Sequence, residues 1–169
     1  ELPADELGYK TLILSNGVRV MYKKTDFDES KITMNAVSRG GYATLSDEQI
    51  DNNVLFNDVM SGNGLGKFNS VDLEKALAGR QLSLTPVVSR HEDLLKGNTS
   101  PKDLRTFMQL VYLSFTKVNY DTLNFRNVLK EEEQFLKNRD ADPINALRDS
   151  IHVRLYNYNQ REVPLTLER

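Results

Sequence analysis

The sequence predicts an α+β domain: an antiparallel sheet with helices packed on one face, and a C-terminal half that is mostly helical. Three observations predict it. Before residue 100, short β-prone runs alternate with turn signals, with two helical stretches among them. After residue 100, apolar residues recur at three- and four-residue spacing behind strong N-cap residues. The chain has 169 residues, 39% hydrophobic and 27% charged, which suits one domain over 1–169 with no disulfide or metal staple.

The elements follow in order. Residues 9–14 and 18–23 are β-prone runs around Ser15-Asn16-Gly17, and Asn-Gly favours a hairpin because both residues tolerate positive φ. Ile32, Met34, Ala36 and Ser38 alternate with Thr33, Asn35, Val37 and Arg39 in a third strand, ended by Gly40-Gly41. A helix starts near Ser46, where Ser46 and Gln49 make a capping box. Ile50, Val54, Leu55, Val59 and Met60 recur along it, and Ser61-Gly62-Asn63-Gly64-Leu65-Gly66 stops it. Ser70 caps a shorter helix with Leu73, Ala76 and Leu77 on its apolar face.

Residues 81–89 form a strand whose Pro86 suits a sheet edge or a strand irregularity. Residues 90–96 return as another strand, and Gly97-Asn98-Thr99 reads as a turn. Ser100-Pro101-Lys102-Asp103 has Ser at N-cap, Pro at N1 and an acid at N3. The helix it opens carries Leu104, Phe107, Met108, Val111, Tyr112 and Phe115, and Tyr112 fits its core face. Asp121 starts a long helix to about Asn138 with Leu123, Phe125, Val128, Leu129 and Phe135. Asp142-Pro143 starts the last, carrying Ile144, Leu147, Ile151 and Leu155.

Composition excludes several functions. Twenty-two basic against twenty-four acidic side chains leave no field that favours nucleic acid. With no cysteine there is no thiol nucleophile and no thiolate zinc site. No apolar run is long enough to span a bilayer. The start at Glu1 lacks Met and a signal pattern, and the end at Arg169 follows a helix without a closing element, so both ends read as cuts.

Candidate chemistry is sparse. His91 is expected on the surface and His152 half-buried, and neither has a second His at ligand spacing. Glu131-Glu132-Glu133 cannot converge on one centre, because successive helical residues point about 100° apart. It reads as a solvated face moderated by Lys130 and Lys137. The Gly62–Gly66 run follows a helix and lacks a phosphate-loop Lys-Ser/Thr. Arg90, His91 and Glu92 are a weak acid–base candidate, whose test is His91→Ala.

A resemblance carries the reading further. Leu14-Ser15-Asn16-Gly17-Val18-Arg19-Val20, Lys24-Thr25-Asp26-Phe27 and Ser38-Arg39-Gly40-Gly41 resemble the opening of a pitrilysin/insulinase-type (inverzincin) metallopeptidase domain. Leu73-Glu74-Lys75-Ala76-Leu77-Ala78-Gly79, Ser89-Arg90-His91-Glu92 and Ser100-Pro101-Lys102-Asp103-Leu104 continue it, with Gln109-Leu110-Val111-Tyr112-Leu113 and Phe115-Thr116. The resemblance runs from about Leu14 to Glu168 and is narrowest to the C-terminal half of bacterial members that carry two halves in one chain. It departs at Lys23, where those members usually have proline. It implies a mitochondrial processing peptidase-like fold, continuing past this chain's end.

Active halves of this family carry H-x-x-E-H, in which two His bind zinc and Glu activates water, with a further Glu some seventy residues on. Aligned on Gly64, that motif falls on Leu55-Phe56-Asn57-Asp58-Val59. Leu55 and Val59 stand at the ligand positions, Asp58 at the base, and Glu132 at the later acid, 73 residues after Val59. The resemblance therefore implies a non-catalytic, substrate-enclosing domain with a packed helix where active halves hold metal. It implies no cofactor in this chain, zinc in the parent's catalytic half, and two partners: that half of the same polypeptide and an extended peptide. It implies the bacterial periplasm or envelope, and apolar interface patches on this chain. Arg90, His91 and Tyr112 are the candidate substrate or interface contacts. The alternative is a stand-alone peptide- or protein-binding module that uses an exposed sheet edge.

Overall fold

A computed structural model describes residues 6–159 and 161–167, with the side chains of residues 52 and 140 outside the description. The chain-end expectations fall largely on residues 1–5, 168 and 169, also outside it.

Strands β1 (Lys10–Ile13) and β2 (Arg19–Tyr22) form the expected hairpin. Its turn closes with Gly17 N–H donating to the Leu14 carbonyl, and Gly17 takes φ 85°. The main sheet has three antiparallel strands in the order β3 (Ile32–Arg39), β6 (Glu92–Thr99), β5 (Leu82–Val88). A third small ladder joins β4 (Gly64–Leu65) to β7 (Val118–Asn119). The fold is α+β with antiparallel sheets, as the alternation of apolar residues predicts.

Two sequence expectations change here. Gly97-Asn98-Thr99 is not a turn: β6 runs through all three and is the central strand. Gly97 pairs with Met34 on one side and Leu84 on the other, and the Phe107 ring lies over it. A Cβ at Gly97 would stand 2.6 Å from the Phe107 ring and 2.6 Å from the Ser83 carbonyl, so this glycine serves close packing rather than a bend. The helix expected from Ser46 to Met60 is two helices, α1 (Asp47–Val54) and α2 (Phe56–Ser61), separated at Leu55. Gln49 accepts a hydrogen bond from Ser46 N–H at 3.1 Å, the N3 half of the expected box.

The register places Ile32, Met34 and Ala36, Leu95, Gly97 and Thr99, and Leu82, Leu84 and Pro86 on one sheet face. The opposite face carries Thr33, Asn35, Lys96, Asn98, Ser83 and Thr85 and is largely polar. Helix α3 (Ser70–Leu77) begins one residue earlier in its cap than expected, since Asn69, not Ser70, accepts from Asp72 N–H. Helix α4 (Leu104–Thr116) follows a single 3₁₀ turn at Pro101–Asp103. Helices α5 (Thr122–Asp140) and α6 (Pro143–Leu155) start at the caps Asp121 and Asp142. Ile50, Leu95, Phe107, Leu110 and Leu136 form the buried apolar core, with Phe107 only 1% exposed.

The apolar faces of the last three helices do not all enter this core. On α4, Phe107 and Leu110 are buried, while Leu104, Met108, Tyr112 and Phe115 form a second, exposed stripe. On α5 the inward stripe is Asn124, Val128, Glu132 and Leu136, at four-residue spacing, and Leu123, Phe125, Leu129 and Phe135 face out. On α6 Ile144, Leu147, Ile151 and Leu155 are all exposed, Leu155 by 76%. Helical spacing identified apolar stripes correctly but could not say which stripe the domain's own core uses.

Candidate functional site

The site the sequence singles out lies at the α1–α2 junction and along α5. Leu55 has φ −96° and ψ 6°, outside the regular helix, yet Val59 N–H still donates to its carbonyl at 2.9 Å. Leu55, Phe56, Asn57 and Val59 are half-buried, and Asp58 points to solvent. Glu132 is half-buried on the inward stripe of α5, eight residues beyond Asn124. That is about 12 Å along the helix axis.

Asparagines, rather than metal ligands, hold this junction together. Asn57 Oδ1 accepts from Val88 N–H at 2.9 Å, and Asn57 Nδ2 donates to the Val88 carbonyl at 3.4 Å. The amide thus binds the outer edge of β5 as a peptide group of a neighbouring strand would. Asn124 Nδ2 donates to the Val59 carbonyl at 2.9 Å, capping the end of α2 from α5. Buried Asn63 accepts from Asp121 N–H at 3.3 Å. Sequence reasoning missed all three. Their signal was only polar residues beside apolar helical positions, which spacing cannot distinguish from solvent-facing ones.

The residues present do not fit a zinc ion. Leu55 and Val59 offer no donor atom, and no group of three or more His, Asp or Glu among the described residues could hold a metal. Of the four motif-derived positions, Asp58 and Glu132 alone carry carboxylates, and a pair of acids without imidazole falls short of the usual three protein ligands.

A second cluster joins motifs far apart in sequence. Gly40 N–H donates to the His91 carbonyl at 3.1 Å, and Gly41 N–H to Asp93 Oδ1 at 3.1 Å. Tyr42 and Ala43 N–H groups donate to the Ser89 and Arg90 carbonyls. The double glycine therefore seats the end of β3 on the β5–β6 turn, and Gly41 takes φ 72° to do so. Arg90 pairs with Glu162 at 3.4 Å, and His91 is exposed. Arg161 donates to the Tyr42 and Leu45 carbonyls and pairs with Asp47 at 2.9 Å, strapping residues 161–162 across this corner. His152 is half-buried with its ring 4.6 Å from that of Tyr156.

Tyr112 stands apart from Arg90 and His91. The sequence places it on the core face of its helix, but it is 66% exposed because Phe107 and Leu110 take that role. With Arg105, Met108, Gln109 and Leu113 it lines a shallow, mostly apolar groove of about 560 Å³ on the outside of α4.

One buried charge is structural. Asp103 accepts from Gln81 N–H at 3.0 Å, Ser100 Oγ at 3.0 Å and Arg80 at 3.2 Å. The Gln81 N–H, followed by Ser100 and Arg80, holds its carboxyl below the usual aspartate range.

No family model matches the chain. Among curated proteins it is similar to the probable zinc protease PqqL of Escherichia coli (strain K12), at 25% identity over 146 residues. The match covers 86% of this chain and 16% of that protein. The crystal structure of the periplasmic protease PqqL from Escherichia coli superposes with a TM-score of 0.79 at 23% identity, over 98% of this chain and 19% of PqqL. The chain has the fold of a domain of this zinc protease and is similar to it in sequence. The ferredoxin protease FusC, solved as a point mutant in complex with Arabidopsis ferredoxin, shares this fold at a TM-score of 0.71 and 18% identity. That match covers 92% of this chain and 17% of FusC. A protease from Helicobacter pylori is also similar, at a TM-score of 0.61 and 14% identity over 86% of this chain and 35% of that one. The chain thus spans about a sixth of PqqL's length. No helix among the described residues is long and apolar enough to cross a membrane.

Proposed function

We propose that this chain is a non-catalytic structural domain that helps enclose substrate and pairs with a catalytic half of the same polypeptide, which hydrolyses peptides with zinc. The observation that carries the reading is the content of the five motif positions. Leu55 and Val59 supply packing instead of imidazoles, and Asn57 is committed to Val88 on the sheet edge. Three exposed apolar stripes, on α4, α5 and α6, support a domain that packs against others. Enclosure is further supported by FusC, which was solved with ferredoxin bound. PqqL is a periplasmic protease, and we assign the same compartment here. Arg90, His91 and Tyr112 are the surface residues we assign to substrate or interface contact.

Metal analysis and a peptidase assay on the purified chain test this. The expected result is substoichiometric zinc and no peptide cleavage. One zinc per chain, or cleavage by the chain alone, refutes it.

The outer edge of β3, unpaired among the described residues, favours a second reading, a free-standing module that captures extended peptides. Titration of extended peptides separates the two. Micromolar binding by the chain alone supports the module, and undetectable binding supports the enclosing domain.

A further inference from the structure

Two asparagines of the chain are followed by glycine, in Asn16-Gly17 and Asn63-Gly64. Glycine has no Cβ, so the backbone nitrogen after each asparagine is unshielded and can approach that asparagine's own side-chain carbonyl carbon. The fold treats the two pairs in opposite ways. Asn63 is only 8% exposed. Its Oδ1 accepts from Asp121 N–H at 3.3 Å and from Asn124 Nδ2 at 3.5 Å, and its Nδ2 donates to Met60 Sδ at 3.6 Å. Gly64 is buried and paired with Asn119 in the β4–β7 ladder, and a Cβ there would stand 2.1 Å from the Phe68 carbonyl oxygen. The Asn63 carboxamide cannot swing onto the Gly64 nitrogen without giving up these bonds in a packed site.

Asn16 and Gly17 are exposed at the tip of the β1–β2 hairpin. Nothing lies within 4 Å of where a Gly17 Cβ would stand, so the space around this nitrogen is open. Asn16 Oδ1 accepts from Val18 N–H at 3.2 Å. The ring of atoms closed by that bond passes through the Gly17 nitrogen, so the bond folds the carboxamide back over it. The donated hydrogen also draws electrons away from Asn16 Cγ. Gly17 N–H donates to the Leu14 carbonyl at 2.9 Å, a bond across a single turn. The hairpin is a ladder separate from the main sheet, β2 is exposed throughout, and such a two-stranded unit opens readily. Each opening frees the nitrogen.

We propose that Asn16 is a site of spontaneous self-modification, which turns it into aspartate and isoaspartate in the folded chain while Asn63 is preserved. The Gly17 nitrogen loses its proton and bonds to Asn16 Cγ. The Cγ–Nδ2 bond breaks, the departing nitrogen takes up a proton, and ammonia leaves behind a cyclic imide. Water then adds to either imide carbonyl. Cleavage of the new bond to Cγ restores the ordinary chain with an aspartate at this position. Cleavage of the bond to the Asn16 backbone carbonyl carbon leaves isoaspartate, whose chain runs through Cβ and Cγ. The sum is a carboxamide and water giving a carboxylic acid and ammonia. Either product adds a negative charge at the hairpin tip. Isoaspartate also lengthens the loop backbone by one carbon, so the loop no longer fits the Ile13–Arg19 register and the strands part. None of this depends on whether the chain is catalytic.

Peptide mapping by mass spectrometry tests the proposal on the purified chain, held in mildly alkaline buffer with and without urea. In the folded chain, Asn16 gains the mass of an amide-to-acid conversion on the order of 100-fold faster than Asn63. In urea the two rates converge, because each then depends only on the glycine that follows. Equal rates in the folded chain overturn the proposal. Conversion of Asn16 in urea with none in the folded chain overturns it too, since the hairpin would then be protective. Asn16→Gln gives an independent reading, because its longer side chain closes the ring much more slowly. Ion-exchange chromatography should show wild type splitting into more acidic species and the variant lagging; splitting of both at one rate refutes the assignment to Asn16. Hydrogen exchange on the separated isoaspartate fraction reads the consequence. The β1 and β2 amides lose protection while those of β6 keep it, and an unchanged hairpin refutes the parting of its strands. Zinc and peptidase activity enter none of these readouts, so failure here leaves the non-catalytic reading standing.

Discussion

Asn57→Ala probes the site most directly, because Asn57 stands just past the α1–α2 junction and holds α2 to the sheet. The substitution removes two hydrogen bonds, to Val88 N–H at 2.9 Å and to the Val88 carbonyl at 3.4 Å. The longer one is weak, so the main loss is the acceptor for Val88 N–H. A hydrogen bond contributes about 0.5–1.5 kcal/mol net, and a stranded buried donor costs about 1–3 kcal/mol. Val88 is half-buried, so water reaches part of the gap, and the expected loss is about 1–2 kcal/mol. For a domain of this size that corresponds to a Tm lower by about 2–8 °C. Urea denaturation followed by circular dichroism measures it, with the midpoint shifting and the slope unchanged. Asn57→Asp keeps the acceptor but sets a carboxylate against the Val88 carbonyl, so it does not rescue the loss. A midpoint equal to wild type for Asn57→Ala would refute the claim that this amide anchors the motif helix.

Three further outcomes follow from the same structure. Gly97→Ala should destabilise by about 2–3 kcal/mol, an overpacking penalty, since the Ser83 carbonyl belongs to the neighbouring strand and cannot withdraw freely; a change under about 0.5 kcal/mol in urea denaturation would contradict the close packing. Asp103 has a lowered pKa in the folded chain, so its contribution is fully present above the unfolded value of about 3.9 and is lost as pH falls through the lower folded value. The stability gap between wild type and Asp103→Asn should therefore be constant above about pH 5 and close in stronger acid, which a pH series of denaturant midpoints would register. The double substitution Ile151→Lys and Leu155→Lys should improve the solubility of this chain without moving its midpoint, since both side chains face solvent. If the chain is a domain of a larger protease, as proposed, the same pair should lower the Tm of the whole protein, and an unchanged Tm there would mean that α6 faces solvent in it as well.

Much of this protein was legible in the order of its residues because the deciding physics is local. The Asn16-Gly17 hairpin, the Ser100-Pro101 and Asp142-Pro143 helix starts, and the alternation in β3 depend on backbone preferences and neighbours within a few positions. Tertiary structure decided the rest. Gly97 reads as a turn locally, yet it lies in the central strand because Phe107, ten residues on, needs its missing side chain. Tyr112 sits at helical spacing with Met108 and Phe115, yet that apolar stripe faces out because each helix offers more apolar surface than one core can cover. Asn57 acquires its role only when α2 meets Val88, 31 residues away. Periodicity records that a residue is apolar and on which side of its own element it lies; which neighbour comes to that side is settled by packing over the whole chain.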